Sequence, residues 1–175
     1  PLLSPTLPTT RSKNTPCASR IIPSLYISGL SCAEDETWLR RNHITHILSV
    51  LPERICIPTT LNIRTKQVPI GDTPFADIES VLPGALDFID AALCQNAVDV
   101  SPALRANVLV HCQEGRSRSV TVVAAYLMKT FNMLPDAALE LIQSKRSVAN
   151  PNFGFLLQLY EYARCSLGRH ELQIP

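Results

Sequence analysis

The residues best suited to chemistry stand together at positions 108–119, Val-Leu-Val-His-Cys-Gln-Glu-Gly-Arg-Ser-Arg-Ser. Cys112 heads a short polar loop and Arg118 follows six positions later. A thiolate is a strong nucleophile, and a guanidinium returning across such a loop holds a phosphate by two parallel hydrogen bonds. Val108, Leu109 and Val110 form an apolar, β-rich run of the kind a fully buried strand uses. The loop from Gln113 to Arg118 contains one glycine, Gly115, and from Ser119 a helical run follows that is apolar nearly all the way round. A strand, a loop and a helix N-terminus make an anion site, because unpaired backbone N–H groups converge there and the helix dipole adds positive potential. The same field favours the Cys112 thiolate over a thiol that ordinarily titrates at about 8.5. A lone cysteine is often buried for packing alone. Here the strand, Gly115, Arg118 and an apolar helix accompany it, and the chemistry they point to is phosphoryl transfer through sulfur.

The elements that must position this loop read as follows. Residues 1 to about 18 are rich in Pro, Thr and Ser and lack an apolar period, which predicts a tail. The run 19–29, interrupted by Pro23, suits an edge strand. Ser31-Cys32-Ala33-Glu34 has capping-box spacing, with Trp38 and Leu39 as the buried face of the helix it would start. Residues 44–50 read as a buried strand and 61–68 as another, separated by the breakers Pro52 and Pro58. His43 and His46 have no metal-ligand companions at a useful spacing. Leu82, Ala85, Leu86, Ile89 and Leu93 mark the inner face of a helix, with Pro83 acceptable only in its first turn. A polar connection, 94–105, precedes the central strand. Leu134, Ala138, Leu141 and Ile142 mark one later helix and Phe153, Leu156, Leu157 and Tyr160 another, which Asn150-Pro151 would open as cap and first residue.

The arrangement His111-Cys112-x5-Arg118-Ser119 resembles the signature of the cysteine-dependent protein phosphatases. The fuller form, Val110-His111-Cys112-x-x-Gly115-x-Ser117-Arg118-Ser119 with Val120-Thr121 and Ala125-Tyr126-Leu127-Met128 after it, is most similar to the dual-specificity phosphatases. Pro23-x-Leu25-Tyr26-x-Ser28-Gly29 and the stretch 146–155 extend the likeness from about Ser19 to Leu167. The resemblance implies an α/β domain over residues 19–175, with a central, mostly parallel twisted sheet of about five strands flanked by helices. It implies Cys112 as nucleophile. Arg118 and the backbone N–H groups of Gln113, Glu114, Gly115, Arg116, Ser117 and Arg118 would bind phosphate, with no metal or other cofactor. Asp72, in Val68-Pro69-Ile70-Gly71-Asp72, would be the general acid and then the base. Asp77 is its rival, although its place before an apolar helical pattern suits a cap better. Ser119 would donate its hydroxyl to the sulfur, or serve simply as the helix N-cap. His111 would orient the loop by hydrogen bonding, and Ser117 would shape it without direct chemistry. Glu114 and Arg116 give the rim mixed charge, which weakens a lipid-phosphatase reading.

The composition narrows the partners. At 175 residues, 46% hydrophobic and 18% charged, the chain suffices for one domain with a full core. A net charge of +1 points to no nucleic-acid partner, and no apolar run is long enough for a membrane span. Six scattered cysteines with no Cys-x-x-Cys pair favour reduced thiols in a cytoplasmic or nuclear protein over a disulfide framework. No Trp-Pro-Asp loop appears, and by resemblance a shallower pocket admitting phosphotyrosine, phosphoserine and phosphothreonine is expected. Phosphorylated proteins are the expected partners, a monomer is favoured, and a small member without a kinase-binding domain is implied. Two other readings stay open: a phosphatase of inositol phosphates or RNA 5′-ends, and a phospho-binding module without turnover.

Overall fold

In the computed structural model, residues 17–95 and 105–171 are described. Residues 1–16 of the expected tail and most of the connection after Cys94 lie outside them; Cys17 and Ala18, expected in the tail, belong to the domain, Ala18 opening the first strand. Five strands form one sheet in the order β1-β2-β5-β3-β4, with β1 antiparallel to β2 and every other pair parallel. They are β1 (Ala18–Ile22), β2 (Leu25–Ser28), β3 (His46–Val50), β4 (Arg64–Val68) and β5 (Val108–His111). The single edge strand expected over 19–29 is a hairpin instead. Pro23 and Ser24 make its turn, Ser24 taking a positive φ of 66°, and of its two strands β1 alone lies at an edge of the sheet.

Both faces of the sheet are covered, so β3 and β5 are buried at every position. The period of two sorts their side chains. Leu48, Val50, Val108 and Val110 face the main core, and Ile47 and Leu109 face a smaller cluster with Leu39 and Trp38. The main core is closed by α3 (Leu82–Leu93), α4 (Arg118–Phe131), α5 (Pro135–Lys145) and α6 (Phe153–Cys165). The smaller one is closed by α1 (Leu30–Ala33) and α2 (Glu36–Arg41). Helix α4 is buried from Arg118 through Met128 and packs on α3, α5 and α6, as its all-round apolar sequence predicts. Pro83 lies in the first turn of α3. No helix among the described residues is long and apolar enough to cross a membrane.

Several local expectations are corrected. The capping box at Ser31 does not form; Asp35 caps α2 by accepting from the Trp38 N–H at 3.0 Å. Ser119 is not the cap of α4, because the helix begins at Arg118 and Ser117, two residues before Ser119, takes the cap position. Asn152, not Asn150, caps α6 through the Phe155 N–H at 3.0 Å, since Pro151 precedes the helix rather than opening it. The buried face carries Phe155, Leu159, Tyr160, Tyr162 and Ala163, with Leu156 packed against the core; of the residues expected inside, Phe153 is 62% exposed. In α5, Leu139 is buried where Leu134 was expected. Finally, Cys17 and Cys32 form a disulfide, with Cα atoms 5.8 Å apart, so reduced thiols are not the state of all six. The hairpin register, with Ala18 opposite Ser28, folds Cys17 back beside α1, a proximity that spacing alone does not reveal. Cys56, Cys94, Cys112 and Cys165 are free.

Candidate active site

The loop from Cys112 to Ser117 is shaped by what holds its carbonyl groups. The Gln113 carbonyl accepts from the Leu30 N–H at 3.0 Å, and the Arg116 carbonyl from the Asn150 N–H at 2.8 Å. Arg146 donates Nε to the Gly115 carbonyl at 2.6 Å and Nη2 to the Glu114 carbonyl at 3.0 Å. The Ser117 carbonyl accepts from the Thr121 N–H and hydroxyl. Five consecutive carbonyls thus point away from the loop's centre. Because a trans peptide sets its N–H opposite its C=O, the N–H groups of residues 114–118 point inward, toward the thiol. Gly115 sits at φ 66°, and a Cβ there would overlap the Ser28 carbonyl and crowd the Arg146 guanidinium. The glycine is needed both for the turn and for close approach of β2.

Cys112 is 1% exposed at the floor of this ring. Burial pushes its thiol up. Hydrogen bonds from the Ser119 hydroxyl and from the backbone of Ser119 and Arg116, with the Arg118 charge, outweigh burial and hold it below the ordinary range. The Ser119 Oγ lies 3.2 Å from Sγ. His111 is buried, and burial lowers it to about 4, partly offset by its hydrogen bond to the Cys112 carbonyl. It is therefore neutral at physiological pH. Nδ1 donates to that carbonyl at 3.3 Å while Nε2 accepts from the Ser49 hydroxyl at 2.7 Å.

Asp72 stands across the cleft. Its Oδ1 accepts from the Ser117 hydroxyl at 2.7 Å and from Asn152 Nδ2 at 2.8 Å, and Oδ2 lies 3.4 Å from Arg118 Nε. Arg118 also donates Nη1 to the Ile70 carbonyl at 3.2 Å, which ties the base of the aspartate loop to the cysteine loop. Helix α6 fixes the rest of that loop. Gly154 has no Cβ where one would overlap the Pro74 carbonyl, and Gln158 bonds the Ala76 carbonyl and the Ile78 and Glu79 N–H groups. Asp77 lies apart from the cleft and accepts from the Ser80 N–H at 3.0 Å, the capping position its sequence context suited. The cleft measures about 460 Å³, with Gln113, Glu114 and Arg116 exposed on its rim.

Of the ten residues singled out in the signature and aspartate loops, Asp72, Cys112, Gln113, Glu114, Arg116, Ser117 and Arg118 line one cleft; Ser119 bonds the sulfur, Gly115 shapes the loop, and His111 is hydrogen-bonded beneath it. Ser117 does more than shape the loop, since its hydroxyl reaches Asp72. Three supporting residues escaped the sequence reading. Ser49 carried a signal, as a serine within an otherwise apolar buried strand needs a partner. Asn152 was hidden by the second asparagine at 150. Arg146 carried none, because its partners are backbone carbonyls.

The comparisons agree with this geometry. Residues 25–165 match the family described as dual specificity phosphatase, catalytic domain. The chain is similar to dual specificity protein phosphatase 5 of Rattus norvegicus, 39% identical over 142 residues, covering 81% of this chain and 34% of that protein. It thus spans about a third of that relative. Dual specificity protein phosphatase 22 of Mus musculus is 36% identical over 146 residues, 83% of this chain and 73% of that one. The crystal structure of DUSP15 superposes with a TM-score of 0.76 at 33% identity, over 85% of this chain and 88% of that one. With a family match across most of its described fold and a solved relative of the same architecture, the chain belongs to the dual specificity phosphatase catalytic-domain family.

Proposed function

We propose that the chain hydrolyses phosphate monoesters on phosphoproteins, at tyrosine and at serine or threonine, through a phosphocysteine on Cys112. The inward N–H groups of the loop and the Arg118 guanidinium hold the three equatorial oxygens and stabilise the charge that builds on them. The Cys112 thiolate attacks phosphorus, forming the S–P bond as the ester P–O bond breaks, and Asp72 gives its proton to the departing oxygen. In the second half a water attacks phosphorus, Asp72 takes the water's proton, and the S–P bond breaks to return the thiolate. The Ser119 hydroxyl, hydrogen-bonded to sulfur, makes that thiolate a better leaving group.

The observation that carries this reading is the convergence of the loop amides on a buried thiol held below its ordinary range, opposite a carboxylate. Initial rates on phosphotyrosine, phosphoserine and phosphothreonine peptides, inositol phosphates and 5′-phosphorylated RNA test it. Wild type is expected to turn over the peptides, and Cys112→Ser to bind them without turnover. Preference for inositol phosphates or RNA would overturn the substrate class. Equal rates for wild type and Cys112→Ser would remove the mechanism.

A further inference from the structure

A groove runs away from the cleft between α5 and α6. The two helices are antiparallel: Gln143, near the end of α5, bonds the Ala149 carbonyl close to the start of α6, and Tyr160 reaches back to Asp136 at the start of α5. The groove between them measures about 350 Å³ and shares Asn150 and Pro151 with the cleft. Its walls change in character along its length. Phe153 and Leu157 give apolar surface beyond Pro151, and the carboxylates of Glu140 and Asp136 follow. Among the described residues neither carboxylate forms an ion pair.

We propose that this groove receives the substrate segment beside the phosphorylated residue and selects a lysine or arginine three or four positions from it. The inference rests on the phosphatase reading. It is argued from continuity and charge. The cleft end presents Arg118 and Arg116 to a phosphate, and the groove end presents two carboxylates, so a peptide with a phosphate at one end and a cation at the other matches both. The reach fits as well. From Gln143 to Asp136 is seven helical residues, about 10 Å, which an extended peptide covers in about three residues. The apolar wall between them takes the intervening side chain.

The test compares phosphotyrosine peptides with arginine or glutamate three or four positions to either side of the phosphoresidue, with p-nitrophenyl phosphate as a substrate that does not enter the groove. Wild type is expected to show kcat/KM about fivefold higher for an arginine peptide on one side, an exposed ion pair being worth up to about that factor. That preference should shrink at high ionic strength. Glu140→Lys is expected to abolish or reverse it and to leave p-nitrophenyl phosphate hydrolysis unchanged. Equal kcat/KM for the arginine and glutamate peptides, with p-nitrophenyl phosphate still turned over, would overturn the inference and leave the phosphatase reading standing. So would a change in sedimentation of Glu140→Lys with peptide preference intact, which would make the groove a self-association face. Absence of any Cys112-dependent hydrolysis would remove the phosphatase reading and this inference together.

Discussion

Asn152 performs two tasks with two atoms, and one substitution separates them. Its Oδ1 caps α6 at the Phe155 N–H, while Nδ2 donates to Asp72 Oδ1 at 2.8 Å. Asn152→Asp keeps an acceptor for the cap and adds a negative charge at a helix N-terminus, which is neutral or favourable for stability. It also sets a second carboxylate oxygen against Asp72. Two unit charges about 4 Å apart at an effective dielectric near 20 repel by about 4 kcal/mol. Asp72 is a third exposed, with 33% of its side chain accessible, so it relieves most of this by turning toward solvent. A residual cost of about 1.4 kcal/mol in holding Asp72 over the leaving group is a tenfold loss. Because Asp72 serves leaving groups that need a proton, the loss falls on phosphoserine peptides, and a fluorinated aryl phosphate with an acidic leaving group is nearly spared. Steady-state kcat/KM on both substrates, with a thermal melt, measures this. An equal loss on both substrates, or none on phosphoserine, would refute the assignment of Asp72 as the proton donor held by Asn152.

Other consequences follow from the same contacts. Gly115→Ala combines a positive φ with overlap on the Ser28 carbonyl and should cost about 3 kcal/mol in denaturant melts, with activity lost in the fraction that folds. His111 is held neutral down to about 4, whereas in the unfolded chain it titrates near 6.5. The unfolded state therefore binds the extra proton first, and stability present above pH 6.5 is lost as pH falls toward 4, by roughly 3 kcal/mol. His111→Asn should flatten that part of the stability profile. The Cys112 thiol should react with iodoacetamide with a half-maximal pH below that of an ordinary cysteine, and Ser119→Ala, which removes one of the stabilising hydrogen bonds, should move it upward.

How far the sequence carried this picture depended on whether a residue's partner is local. The signature loop was legible because its chemistry is written in adjacent positions: strand, Cys112, Gly115, Arg118 and helix follow one another. Asp72 was legible only through the likeness of Val68-Pro69-Ile70-Gly71-Asp72 to the family's general-acid loop, since it meets Ser117 from 45 positions away. The apolar periods found the cores of α3 and α4, where apolar residues repeat at the helical period. In α6 they found Tyr160 and Leu156 but placed Phe153 inside, where it is 62% exposed, and missed Phe155; the cap was misplaced because asparagines stand on both sides of Pro151. Pairings set by register were out of reach. The Cys17–Cys32 disulfide depends on a hairpin turn at Pro23-Ser24, and Arg146 is held to the loop by backbone carbonyls that no side-chain pattern announces.

The most direct test of the central claim, that Cys112 carries the phosphoryl group, is acid quenching during turnover of a phosphotyrosine peptide followed by peptide mapping. Ser119→Ala slows departure of the thiolate and should raise the trapped fraction relative to wild type. The account predicts phosphate on the peptide containing Cys112, labile as a thiophosphate ester, and none in Cys112→Ser. Turnover by wild type and Ser119→Ala with no phosphorylated Cys112 at any quench time would contradict it.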